Sequence, residues 1–335
     1  MTEFWQLTFP MPGQSENHAL AAENNGWDGL FFADTQCLSG DIYSAMCLAA
    51  KATTTLQVGT AVTNPVTRHA AVTASAIGTV QVESNGRAVL GIGRGDSALG
   101  LLGQKPAPAS QLADYIKQVQ GYLQGDSVEL DGYASQISWI NGSGQAKVPV
   151  DVASTGPQVI ALAATFAERI TFAMGADPVR IARGIEDARN AADAAGRDPN
   201  ELSFGAYVNI ACDNDEQRAC DIIRGSAGTF AHFSGMSSAA NAGLQDAPVF
   251  KHIGANYDMA NHASGKAAHM KEVPDEFVSR FAVAGPPALC IDRLGEIIGR
   301  GLDRVVLLMG SRDADPQHMA ASSERISAEV IVELR

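Results

Sequence analysis

The feature that most constrains this chain is a repeated alternation: apolar runs of strand length separated by amphipathic, alanine-rich segments of helix length. Strands that alternate with helices pair in parallel, because the helix carries the chain back to the same edge of the sheet. Eight runs qualify: Phe4–Phe9, Gly29–Ala33, Leu56–Val62, Ala88–Ile92, Val148–Ala153, Ile170–Met174, Leu202–Ala211 and Arg304–Met309. Helical patterns fall between them at 15–25, 42–53, 70–84, 110–123, 157–167, 178–195 and 215–229, and a closing helix is expected from Pro316 to Arg335. Several begin at Ser, Pro or Asp and end at Gly or Asn, the residues that cap and stop helices. Eight such units with no second cluster of strands predict an α/β fold, a closed (β/α)8 TIM barrel, in one domain over 1–335. Two segments exceed the minimal repeat, about 124–147 and 234–284. They are expected as insertions at the C-terminal face of the barrel, as lids or subunit contacts.

Of the 335 residues, 46% are hydrophobic and only 6% aromatic, which suits a large aliphatic core. The net charge of −13 and the lack of any basic run argue against nucleic acid and anionic membranes as partners. Cys37, Cys47, Cys212, Cys220 and Cys290 are scattered and odd in number, which fits reduced thiols. No leader pattern opens the chain and no apolar run is long enough to span a bilayer, so a soluble, cytoplasmic protein is expected.

A barrel of this kind binds its ligand where the strands run out into loops. That rule selects Asp34, the segment Thr63-Asn64-Pro65-Val66-Thr67-Arg68-His69, Gly91-Ile-Gly93-Arg-Gly95-Asp96, Ser154-Thr155-Gly156-Pro157 and Gly175. The glycine-rich segment is not a dinucleotide fingerprint: its sixth position is Asp96, and it follows the fourth strand instead of the first. Its glycines allow a flat ring close to the backbone. Asp96 then serves as a proton donor or acceptor, or simply as a helix cap or a partner of Arg94. Ser154, Thr155 and Gly156 precede a helix that starts at Pro157, so free N–H groups and hydroxyls there suit an anion. His69 either orients a substrate or caps the next helix. His232, His252, His262 and His269 lack metal-ligand spacing, so no metal is expected; they read as surface or lid residues, one of which faces substrate.

The ordered set Gly26-Trp27-Asp28-Gly29, Asp34, Thr63 to His69, Gly91 to Asp96, Ser154 to Pro157 and Gly301-Leu-Asp303-Arg-Val-Val resembles the luciferase-like flavin-dependent superfamily over nearly the whole chain. Within it, the set is most similar to the branch of methylenetetrahydromethanopterin reductases and other deazaflavin-dependent enzymes. The resemblance implies a tricyclic cofactor, coenzyme F-420 or FMN, at the C-terminal ends of the strands. It implies that Asp34 lines the ring site and that Ala61-Val62 forms a bulge with a non-prolyl cis peptide behind the ring. Asn64 and Gly93 would touch the cofactor, Ser154, Thr155, Gly156 and Gly175 would take its phosphate, and Asp96 would match a proposed acid. Thr35 stands where some deazaflavin-dependent sugar dehydrogenases place a histidine, which disfavours a sugar-phosphate substrate.

The expected function is therefore hydride transfer between a deazaflavin and a small organic substrate, with Asp96, Asp34 and His69 as candidate catalytic residues and a homodimer as the expected assembly. An FMN-dependent monooxygenase, a non-catalytic flavin binder and an NAD-dependent dehydrogenase are the competing readings.

Overall fold

The computed structural model describes residues 1–236 and 245–335. All eight predicted strands are present: β1 (Glu3–Thr8), β2 (Gly29–Phe32), β3 (Gln57–Thr60), β4 (Ala88–Ile92), β5 (Val150–Ser154), β6 (Arg169–Phe172), β7 (Ser203–Cys212) and β8 (Arg304–Leu308). Each pairs in parallel with the next, and β8 pairs back onto β1 from Glu3↔Arg304 to Gln6↔Leu307. The sheet is thus a closed (β/α)8 barrel.

Closure packs large side chains against glycines on the neighbouring strand. Trp5 and Gly29 are register partners, as are Phe31 and Gly59, and Arg304 and Gly205. A Cβ on Gly29 would lie 2.3 Å from the Trp5 ring, and one on Gly59 would lie 2.3 Å from the Phe31 ring. The interior is therefore filled by a few large residues from some strands and by empty positions on the others. Outside the sheet, Phe4, Leu30, Val58, Leu90, Val152 and Ile170 pack against the helices.

The helices start where the sequence supplies caps. The side chains of Asp41, Asp177, Asp215 and Asp315 accept backbone N–H bonds from the first turns of the helices Ile42–Ala52, Pro178–Ala194, Glu216–Gly235 and Pro316–Arg325. The lower rim uses a related device between strands. Asp28, just before β2, accepts the Phe4 N–H at 2.8 Å; Asp303, just before β8, accepts the Phe204 N–H at 2.7 Å; Glu168, just before β6, accepts the Val150 N–H at 2.9 Å. The Gly-Trp-Asp-Gly and Gly-Leu-Asp-Arg motifs are accounted for by this: a left-handed glycine (Gly26, φ +77; Gly301, φ +104), a buried apolar residue and a registering carboxylate.

The two insertions divide between the rims. Segment 124–147 leaves a helix to enter β5 and so runs along the N-terminal rim, against the expectation of a lid. It carries the hairpin Val128–Leu130 with Tyr133–Ser135, and Gln145 bonds Asn85 in the turn before β4. The other insertion does cover the strand ends, with helices Ala247–Asn256 and Asp275–Phe281 and a short strand, Val283–Gly285, paired to the end of β7. Part of it, 237–244, falls outside the described residues. The helix Pro287–Ile298, which the sequence pattern does not announce, follows directly. Among the described residues, no helix is long and apolar enough to cross a membrane.

Candidate active site

Strand β3 and the loop after it set the floor of the site. The strand ends at Thr60, the Ala61–Val62 peptide is cis, and Thr63 then pairs again with β4 through Ile92. Thr63 N–H donates to the Gly91 carbonyl at 3.0 Å, and Gly93 N–H donates to the Thr63 carbonyl at 2.9 Å. Glycine is demanded across this bulge. A Cβ on Gly91 would sit 1.9 Å from the Thr60 carbonyl oxygen, and one on Gly93 would sit 2.6 Å from Val62 Cγ2.

Above this floor lies a cavity of about 380 Å³ at the C-terminal mouth, inside the roughly 300–1,000 Å³ range of small-molecule and cofactor sites. Its lining includes Asp34, Ala61, Val62, Gly93, Asp96, Thr155 and Gly156, so seven of the sequence-derived candidates meet in one place. The far wall is apolar, made by Leu7, Tyr207, Phe230 and Phe233. Gly156 is the N-cap of the helix Pro157–Phe166, and no side chain caps that end. Thr155, Gly156 and Gln158 at that end line the cavity, while the Val159 and Ile160 N–H groups are taken by the Gly156 carbonyl.

The remaining four candidates lie elsewhere. His69 is exposed and caps the helix Ala70–Glu83, its Nδ1 accepting the Ala71 N–H at 3.2 Å; it does not line the cavity. Asn64 is fully buried behind Gly95, with Oδ1 accepting from Val66 and Thr67. Ser154 faces inward, its hydroxyl turned to the Val152 carbonyl. Gly175 is covered by Phe281, whose ring would be 2.5 Å from an added Cβ. Strand-end position alone does not distinguish residues that point into the mouth from those that point into the packing around it.

Two carboxylates reach the cavity in different settings. Asp34 is buried and bridged by Arg68 at 2.5 Å, while Arg68 also lies over the Tyr43 ring at 5.0 Å and reaches Asp41. Burial raises the Asp34 carboxyl above its ordinary value, although Arg68 pulls the other way. Asp96 opens the short helix Asp96–Gly100 and is not paired with Arg94, whose side chain bonds the Ala107 carbonyl at 2.6 Å. Its Oδ2 lies 3.3 Å from His232 Nε2. The residues sequence reasoning missed here are Tyr207, Phe230 and Tyr257. Ser97 was signalled by the strand-end rule, as the residue after Asp96, and His232 by its place in the histidine-rich stretch. Among the described residues, no group of His, Cys, Asp and Glu could hold a metal ion.

Known proteins repeat this architecture. The sequence matches the luciferase-like monooxygenase family over residues 10–304. This chain belongs to that family. It is 28% identical over 303 residues to the 5,10-methylenetetrahydromethanopterin reductase of Methanolobus tindarius, covering 87% of this chain and 88% of the relative. The coenzyme F420-dependent tetrahydromethanopterin reductase of Methanopyrus kandleri superposes with a TM-score of 0.76 at 22% identity, covering 100% of this chain and 99% of the other. An F420-dependent secondary alcohol dehydrogenase, solved with an F420–acetone adduct, superposes with a TM-score of 0.75 at 17% identity over 100% of this chain and 99% of its own.

Proposed function

We propose that this luciferase-like chain is a deazaflavin-dependent oxidoreductase that moves a hydride between coenzyme F-420 and a small organic substrate, with Asp96 handling the proton. The observation that carries the reading is the convergence of Asp96, the glycine floor at Gly93 and the uncapped helix end at Gly156 on one apolar-walled cavity. The residues fit such a cofactor. The floor leaves no side chain at Gly93 to obstruct a flat ring, Thr155 and Gly156 would hold an anionic group, and the buried Asp34–Arg68 pair borders the ring site. When bound, a deazaflavin supplies the two-electron hydride step.

The chain's own residues do the rest. Leu7, Tyr207, Phe230 and Phe233 exclude water from one side of the cavity. Arg94 lines it but is held by the Ala107 carbonyl, which suits an uncharged substrate better than a phosphorylated one. Asp96 carries a proton at the carboxyl oxygen that reaches the cavity, giving it up in reduction and taking it back in oxidation.

The reading extends to one cytoplasmic domain acting as a homodimer. Leu48, Val72 and Val82 stand exposed on the neighbouring helices Ile42–Ala52 and Ala70–Glu83, and a second copy would cover them.

The test is an absorbance titration with oxidised F-420 and, separately, with FMN, followed by turnover assays on panels of small alcohols, ketones and imines. Deazaflavin binds in preference, and Asp96→Asn loses about 10²- to 10⁴-fold in kcat with little change in coenzyme Kd. Binding of FMN alone, with oxygen uptake on reduction, would replace this reading with a monooxygenase. Binding without turnover across the panels would replace it with a storage role.

A further inference from the structure

The end of the helix Glu216–Gly235 and the stretch that covers the mouth bring a set of side chains against Asp96 that the hydride step does not by itself require. His232, near the end of the helix Glu216–Gly235, has Nε2 3.3 Å from Asp96 Oδ2. Its ring lies flat on Tyr257, with centroids 3.9 Å apart and planes 12° apart. Tyr257 is fixed in turn, its hydroxyl 3.0 Å from Thr229 Oγ1 and 2.8 Å from His262 Nδ1. His262 closes the circuit, with Nε2 3.2 Å from the hydroxyl of Ser97, the residue after Asp96.

Protonation fits this order. Burial keeps the Tyr257 phenol above its usual pKa, so its O–H proton is retained, and burial pushes His262 down to about 4, so its ring is neutral near pH 7. Tyr257 then donates to His262 Nδ1, and His262 Nε2–H donates to Ser97 Oγ. Thr229, Tyr257, His262 and Ser97 form a neutral frame. Beside it, Asp96 Oδ2 and His232 Nε2 stand 3.3 Å apart, and Asp96 Oδ2 and His232 Nδ1 are buried with no hydrogen-bond partner among the described residues.

We propose that His232 is the positioning and proton-return partner of Asp96, with Tyr257 as the surface that fixes its imidazole plane. This rests on the hydride-transfer reading above. In the reducing direction the Asp96 O–H bond breaks as its proton passes to the substrate. The Nε2–H bond of the His232 imidazolium then breaks as the Asp96 O–H bond reforms, and the neutral imidazole regains its proton from hydronium in solvent. No electrons move in the return. The titratable and charged groups around the pair are Tyr257, Asp258, His262 and His269 from the covering segment and Arg312 from the loop after β8.

The decisive variant is His232→Phe, which keeps an aromatic face on Tyr257 and removes the nitrogen facing Asp96. Its melting temperature and F-420 Kd stay near those of the wild type, kcat falls about 10- to 100-fold, the scale of misplacing a reacting group by an ångström, and KM is little changed. The pH profile of kcat loses one ionisation. Unchanged kcat and an unchanged profile overturn the proposal. A second measurement needs neither cofactor nor substrate: 15N spectra of histidine-labelled protein, in which Asp96→Asn moves the His232 imidazole resonances. Resonances that stay in place also overturn it. If the wild type shows no deazaflavin-dependent turnover, the underlying reading falls and takes the catalytic role with it, while the nitrogen spectra still decide the pairing.

Discussion

The buried ion pair low in the barrel offers a sharp test of how the interior is held. Arg304 and Asp151 are each 1% exposed, with Nη2 and Oδ2 2.9 Å apart. Thr171 Oγ1 donates to Asp151 at 2.8 Å and accepts from Arg304 Nη2 at 3.0 Å, and Arg304 Nη1 donates to Ser203 Oγ at 2.8 Å. Removing one partner of such a pair costs about 3–5 kcal/mol, because the survivor stays buried without its counter-charge. The two removals are not equivalent here. Arg169 is a second cation nearby, half-buried, held below its ordinary pKa by burial and then by the charge of Arg304, and Asp151 is among the carboxylates that offset this. Arg304→Met leaves Asp151 with the Thr171 hydrogen bond and the nearby charge of Arg169. Asp151→Asn leaves buried Arg304 without its counter-charge and within reach of the like charge of half-buried Arg169. We therefore expect Asp151→Asn near the top of that range and Arg304→Met near its bottom or below. On a scale of roughly 1.4 °C per kcal/mol for a chain of 335 residues, the melting temperature falls by about 7 °C for the first and by about 4 °C or less for the second. The double variant loses less than the sum, since each change removes the other's unpaired charge. Thermal melts followed by circular dichroism decide it. A larger loss for Arg304→Met, or additive losses, would refute the argument.

Further outcomes follow from single features. Gly91→Ala forces a methyl against the Thr60 carbonyl and lowers stability by about 1–3 kcal/mol in a urea melt, whereas Gly254→Ala, with nothing within 4 Å, changes it little. His262 is neutral in the fold with a pKa of about 4, against about 6.5 in the unfolded chain. The unfolded state thus binds more protons between those values, and stability falls as pH drops from 6.5 toward 4, by about 2 kcal/mol at pH 5. His262→Gln flattens that slope, and equal slopes in the two proteins would contradict the assignment. Val72→Glu places a charge on the exposed apolar helix face; sedimentation should show a dimer for the wild type and a monomer for the variant.

The strands were legible because each is a short apolar run bounded by Gly, Asp or Asn, and buried parallel strands leave that mark. The helix starts were legible in Asp41, Asp177, Asp215 and Asp315. The helix Pro287–Ile298 was not, since it follows an irregular insertion with no run before it longer than Val283–Gly285. Half of the site could be placed by rule, as strand-end residues Asp34, Gly93, Asp96 and Gly156 do meet. The other half depends on side-chain direction, which periodicity does not carry: Ser154 turns inward while Thr155 beside it lines the cavity. The contact between Asp96 and His232 joins residues far apart in sequence, and only the fold brings the end of the helix Glu216–Gly235 over the end of β4.

The registering carboxylates Asp28, Glu168 and Asp303 have a consequence for how such a chain can change. They lock alignment at the end of the barrel opposite the mouth, about five residues or roughly 16 Å along each strand from the chemistry. Loops at the other end are thereby released from any duty in keeping the staves aligned. New specificities can be grafted there, segment for segment, onto an undisturbed foundation.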